Sequence, residues 1–446
     1  MAEPPTTKSE RLDMTQHSSS ARRRGAIIAV PVIGALLLAG CSGSGGGADS
    51  GDEGGAAEFS FTFATSNNLE SPYETLANAY MDANPDVTIT TNPTPNDKYG
   101  ETIRTQFQAG NAADVVQTTP GSGDARGIIP LADAGFLEPL GDTAASLVPA
   151  GSETIFELDG EVYGQPMDFT IASVVASMGT AAMNGLDEWP TTESDLYDAC
   201  TALAAGGKSL LVLAGAAGPN AGLTAQGIAA TRVYAEDPDW NEQRAAGDTT
   251  FAESEGWADT LQTIIDLKDG GCFQPGAEGG GFDAITNGLS QGTAVGSFIP
   301  SGSAVEIATA APPEADFKVQ PFPAADGGDP YIIASSNYTI SINAASEKKD
   351  AAADFVEWLA TPEAQEIYYE ASGLLPISNY QDLDLSETIY SPVVDLLAAG
   401  SYAPLPNNIW PNPAVYEALQ VGVQGLLTGH KTIDQVLQDI DTAWGD

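Results

Sequence analysis

The chemistry open to this chain rests on carboxylates, amides, hydroxyls, aromatic rings and three cysteines. There are 61 acidic residues against 16 basic ones and two histidines, a formal charge of −45. Only His430 follows Cys41, in a Gly-His-Lys-Thr turn, so His-based zinc sites and Ser-His-Asp triads have little to build with. No Gly-x-Ser-x-Gly elbow is present. No Lys-Ser/Thr follows the glycine-rich stretch 276–281, which excludes a phosphate-cradling loop of that type. The groups that remain are aromatic rings, which stack, and Asp, Asn and Ser, which hydrogen-bond, ionised Asp being the strongest acceptor among them.

The cysteines divide by position. Arg22-Arg23-Arg24 precedes an apolar run from Ala26 to Ala39, too short to cross a bilayer comfortably and ending on small residues. Leu38-Ala39-Gly40-Cys41 resembles a bacterial lipobox, in which Cys41 becomes the new N-terminus and carries the lipid (palmitate). Residues 1–40 are then expected to be a lipoprotein-type signal peptide, with Met14 as an alternative start, and Gly/Ser-rich 41–57 a flexible tether. The rest is placed outside the cell membrane, attached through the lipid on Cys41. Cys200 and Cys272 form an even pair in an oxidising compartment, and a disulfide is expected.

Removing the first 40 residues leaves 406, enough for two lobes with real cores. The five basic and three acidic residues before Cys41 leave 11 and 58 after it, a formal charge near −47. Such a domain is repelled by nucleic acid and by anionic headgroups, and lacks the Lys/Arg clusters that strongly anionic solutes need. Neither cofactor nor metal is expected.

The elements follow from periodicity. Phe59, Phe61 and Phe63 alternate with polar residues as in a strand. Ser71-Pro72 starts a helix that carries Tyr73, Leu76, Ala77 and Tyr80 on one face, and Asn84-Pro85 stops it. Strand Val87–Thr91, a helix through Tyr99, Ile103 and Phe107 closed by Gly110, and strand Asp114–Gln117 continue the alternation. This pattern implies βαβ units and a largely parallel sheet, with ligands outside the carboxyl ends of the strands. That rim carries Ser66, Asn67, Asn68, Thr118 and Ser122. Further on, helices are expected around 194–205, 253–269, 282–291, 413–427 and 432–444, with strands at 210–214 and 293–299.

Ordered segments spell out a family. Phe107-Gln-Ala-Gly-Asn-Ala-Ala-Asp-Val-Val116, Leu131-Ala-Asp-Ala-Gly-Phe-Leu-Glu-Pro-Leu140 and Gly160-Glu-Val-Tyr-Gly-Gln-Pro166 come first. Trp189-Pro-Thr-Thr192 and Ile342–Ser346 with Ala351–Leu359 and Thr361–Gln365 follow in order. Over nearly its full length after Cys41 the chain resembles the extracellular solute-binding proteins of ABC importers, in the carbohydrate-binding group that includes maltose-binding protein. The resemblance implies a two-lobed α/β periplasmic-binding-protein-like fold, each lobe a mostly parallel sheet flanked by helices, with a ligand cleft between. Lobe I takes 58–167 plus 338–372, and lobe II takes 168–337 plus 373–446. One departure is Gly292-Thr-Ala-Val-Gly-Ser-Phe-Ile-Pro-Ser-Gly-Ser303, which lacks the tryptophan usual near Gly302 or Ser303.

The resemblance implies a monomer that takes a sugar or oligosaccharide by hinge closure, performs no catalysis and passes its load to ABC permease subunits. Tyr416 aligns with a stacking aromatic. Trp410 and Tyr338, with Ser336 beside it, lie in loops expected to face the cleft, and Asp168 and Phe169 follow the Pro166 crossing. Three alternatives stay open. They are a secreted carbohydrate-active hydrolase with two flanking carboxylates, a surface lipoprotein that binds carbohydrate for sensing or attachment, and a peptide, polyamine or metal as the ligand.

Overall fold

The structure, a computed structural model, describes residues 57–65, 71–149, 152–325, 327–377, 380 and 383–445. The leader, most of the tether, Cys41 and the rim residues Ser66, Asn67 and Asn68 lie outside the described residues. In chain order the strands are β1 (Ala57–Thr65), β2 (Val87–Pro95), β3 (Val115–Thr118), β4 (Leu137–Glu138), β5 (Glu157–Leu158), β6 (Glu161–Val162), β7 (Gln165–Pro166) and β8 (Asp168–Ser177). After them come β9 (Ser209–Leu211), β10 (Ala294–Pro300), β11 (Phe317–Gln320), β12 (Ile332–Ser335), β13 (Thr339–Asn343), β14 (Leu375–Pro376) and β15 (Tyr402–Ala403).

Two sheets form two lobes. The first runs β2-β1-β3-β13-β4, with β7 beside β13. The alternating phenylalanines of β1 point into its core, where Phe61 and Phe63 meet Tyr73 and Phe355. The helix Pro72–Ala83 buries the face carrying Tyr73, Leu76, Ala77 and Tyr80, and Ser71 caps it by accepting the amide of Tyr73. Strand β2 carries Pro93 and Pro95 because it is the sheet edge, where no neighbour needs their missing N–H. Gly110, at φ 69°, closes the helix Asn96–Ala109 in the left-handed conformation that a Cβ disfavours.

The second sheet runs β15-β12-β8-β10-β9, with β11 and β14 also pairing β8. All ten residues of β8 are buried. The strand–helix alternation predicts mostly parallel sheets, and the structure corrects this. Only β1–β2 and β1–β3 are parallel in the first sheet, and only β9–β10 and β12–β15 in the second. Strands β8 and β13 each enter a sheet from the opposite lobe, so the crossing sets their direction and they run antiparallel to their neighbours.

Most expected helices appear within a residue or two of their bounds. The helix Gly218–Ala229 was not expected. From Asn220 onward every residue is buried, and it runs on through a π turn, Ala230–Tyr234. Burial on all sides leaves no polar face, and hence no 3.6-residue signal.

Cys200, on the helix Glu193–Ala205, and Cys272, just after the helix Glu255–Asp269, form the expected disulfide across a separation of 72 residues. Cross-linking a loop of that length stabilises by about 4 kcal/mol on the entropic model. The double substitution C200S/C272S is expected to lower the urea-unfolding free energy by about that amount. A loss below about 1 kcal/mol would show that the unfolded chain gains little freedom from the cut.

Candidate functional site

Three segments pass between the lobes, and one carboxylate ties them together. Strand β7 belongs to the first sheet and β8 to the second, so the chain crosses at Met167, whose amide donates to the Tyr338 carbonyl at 3.1 Å. The return crossing runs from β12 through Ser336–Tyr338 to β13. A third follows the helix Pro362–Ser372 into β14, which pairs with the start of β8. Asp168 sits where they meet. Its Oδ1 accepts the amides of Asn337 (3.0 Å) and Tyr338 (3.4 Å), and its Oδ2 accepts the Tyr368 hydroxyl (3.4 Å). Tyr368 in turn bonds Tyr73 at 3.1 Å. Burial pushes the Asp168 carboxyl up to about 7, against the lowering effect of those donors. Asp168 is thus fully buried where the crossings meet.

A small cavity, partly open to solvent, lies beside this junction, between the lobes. From the first lobe it is lined by Ser71, Tyr73, Asn96 and Gln117, and from the second by Pro300, Gly302, Ser303 and Glu306. Tyr338, Tyr368 and Ser372 of the crossings close it. Gln117 is fixed by accepting the Ala64 amide at 2.7 Å. The space open to the centres of water molecules is about 60 Å³, room for roughly four waters. No sugar ring fits without opening. Burial alone pushes Glu306 up to about 7.

A wider groove of about 450 Å³ shares Asn96 with the cavity and runs between Arg104, Asp124 and Arg126 on one side and Tyr416, Glu417 and Gln420 on the other. Arg126 pairs with Asp124 (3.0 Å) and donates to Asn96 (3.2 Å). Burial acts to raise the Asp124 carboxyl, but the adjacent guanidinium holds it below the usual carboxylate range. The Tyr416 hydroxyl donates to the Pro219 carbonyl, and its ring covers Gly222.

The lobes touch at backbone level. The Ser122 amide donates to the Asn408 carbonyl at 3.2 Å. A Cβ on Gly121 would stand 1.7 Å from that same oxygen, and one on Gly123 1.8 Å from the Asn407 carbonyl. Only glycine allows this approach.

Of the residues singled out from sequence, Tyr338 lines the cavity, Tyr416 lines the groove and Ser122 makes the contact between lobes. Others stand elsewhere. Thr118 is buried within the first sheet, bonded to Thr339 (2.6 Å) and Ser341 (2.7 Å). Phe169 is a core residue stacked on Tyr380 at 4.2 Å. Trp410 is fully buried among Phe251, Trp257 and Tyr416, its indole N–H donated to Asn241 at 3.1 Å. Its polar flanks suggested a loop at the cleft, yet Asn407 and Asn408 face inward as well. Ser336 is buried, its carbonyl accepting from Asn408 Nδ2 at 3.2 Å. Sequence reasoning missed Asn96, Gln117, Arg126 and Glu306. Arg126 carried a usable signal, being one of few basic residues and lying just beyond β3. Glu306, one acid among many, carried none.

A family model described as bacterial extracellular solute-binding protein matches residues 65–366, more than half of the chain. The chain belongs to that family. Among solved structures, one from work on xylan utilisation by Caldanaerobius polysaccharolyticus is similar at TM-score 0.72 and 21% identity, covering 86% of this chain and 99% of that one. The solute-binding protein RafE in complex with raffinose gives TM-score 0.70 at 18% identity, covering 87% and 98%. The GacH receptor of Streptomyces glaucescens, solved unliganded and with acarbose, gives 0.67 at 18%, covering 87% and 97%. These likenesses carry the two-lobed fold. Comparison with curated protein sequences gave no match.

Two outcomes test the site in this solute-binding protein. Gly123→Ala is expected to hold the lobes apart, giving a larger radius of gyration in X-ray scattering than the parent with an unchanged circular-dichroism spectrum. An identical radius would show that the contact does not limit closure. The second concerns pH. Asp168 and Glu306 have folded values near 7, above the roughly 4 of an unfolded carboxyl. Between those values the folded state binds more protons, so the stability they lend is complete below about pH 4 and lost as pH rises through 7. Asp114 and Asp124, held low, act only below that window. Unfolding free energy from urea titration is expected to fall from pH 5 to pH 8, and Glu306→Gln to flatten the slope.

Proposed function

We propose that this protein captures a sugar or oligosaccharide outside the cell by closing its lobes on it, and delivers it to an ABC permease without altering any covalent bond. The observation that carries this reading is the cavity between the lobes, walled by tyrosine rings, amides and hydroxyls at the joint where all three crossings meet. That is the surface a hydroxyl-rich, ring-shaped solute requires. Raffinose and acarbose in the similar RafE and GacH structures support the same ligand class. Tyr416 and Tyr338 serve as platforms, and Asn96, Gln117 and Ser303 as hydrogen-bonding partners. The protein acts as a monomer, held to the outer face of the membrane by a lipid on Cys41. No helix among the described residues is long and apolar enough to span a bilayer.

Closure makes the binding measurable. A thermal-shift screen over mono- and oligosaccharides is expected to find a stabilising sugar, with about 2.7 kcal/mol gained at a hundred times its dissociation constant. X-ray scattering is expected to show compaction with that sugar. Absence of any shift across the panel, or appearance of cleaved glycan by chromatography, would sink the proposal. Cys41→Ser is expected to move the protein from the membrane fraction to the medium.

A further inference from the structure

Glu306 stands on the helix Ser303–Ala310, is partly buried and lines the cavity from the second lobe. Its carboxylate enters no hydrogen bond or ion pair among the described residues. Among the described residues that line the cavity there is no Lys, Arg or His. Arg126, whose partner Asn96 lines the same space, is committed to Asp124 and Asn96. A second carboxylate stands one side chain behind, since Asp168 accepts the hydroxyl of Tyr368, itself a wall residue. Burial pushes Tyr338 up to about 12, Arg126 acts against it, and Asp168 and Glu306 add smaller effects that raise it. Two acids and the paired Arg126 therefore act on the same wall, and of these Glu306 is the one that lines the cavity without a partner among the described residues. The surrounding chain, with its formal charge of −45, adds to that potential.

With a neutral polyol the Glu306 carboxyl stays in the largely protonated form that burial favours and gains only ordinary hydroxyl hydrogen bonds. A protonated amine cancels the charge of the ionised form and donates hydrogen bonds to it. We infer that the solute carries a basic nitrogen, as an amino sugar or an amine-bearing polyol does, and that its ammonium sits on Glu306 when the lobes close. This rests on the sugar-binding reading above and narrows it. The amine-bearing end points into the small cavity, which must widen to admit a ring, and the remainder extends past Asn96 into the groove beneath Tyr416.

The test uses the full chain and matched pairs that differ only at nitrogen. These are glucosamine and glucose, galactosamine and galactose, mannosamine and mannose, and the β-1,4 trimers of glucosamine and of glucose. Thermal shift finds the pair that binds, and calorimetry at near-neutral pH and low salt measures the ratio of affinities within it. The amino member is expected to bind at least about tenfold tighter, the ratio to shrink with added salt, and Glu306→Gln to bring it near one. Glu306→Asp, which keeps the charge, is expected to retain part of the preference, and melting of both unliganded variants checks that they fold. A neutral member that binds as tightly as its amino partner overturns this inference and leaves the sugar reading standing. Glu306→Gln with the preference intact removes Glu306 as its source. No binding by any member of any pair overturns both.

Discussion

The joint of this molecule is a carboxylate taken out of water. Asp168 opens the wholly buried strand β8, accepts two amides of the return crossing, and receives the hydroxyl of Tyr368 from the third. An unpartnered buried carboxylate would be strongly unfavourable, so these donors are what allow it to exist there. In satisfying one group, the fold draws three separate stretches of chain to one point. The lobes can rotate about that point only if the bonds around it persist, because breaking them would strand the group again.

What happens at the far side of the cleft follows from the absence of side chains. Gly121 and Gly123 let two backbone carbonyls come within reach of the facing lobe, and the Ser122 amide meets one of them. The contact carries one backbone hydrogen bond, between Ser122 and Asn408. The cavity beside the crossings has little room for water, so a solute there meets its polar walls directly, where charges interact more strongly than in bulk solvent.

Reading the chain in order revealed local structure well wherever one face of an element meets solvent. The Phe59–Phe63 alternation, the Tyr73–Tyr80 face, the Gly110 stop and the helix Pro413–Leu427 all fall where their patterns place them. The pattern fails where burial is uniform. Strand β8 and the helix Gly218–Ala229 show no alternation of polar and apolar positions because they have no wet face. Trp410 misled for the opposite reason. Its asparagine and proline neighbours read as a surface loop, while the ring itself inserts between Phe251 and Trp257.

By itself, then, the sequence determined most of the amphipathic elements, the cysteine pair and the family, because each of these is written in neighbouring residues or in residue types. Only the tertiary structure decided which side chains share one space. Glu306, Gln117 and Tyr338 come from the second lobe, the first lobe and a crossing between them. No local pattern marks such residues, since what joins them is the register of two sheets and the angle at which the lobes meet. The same holds for Asp168, whose place at the crossings appears only once the amides of Asn337 and Tyr338, far along the chain, have turned to face it.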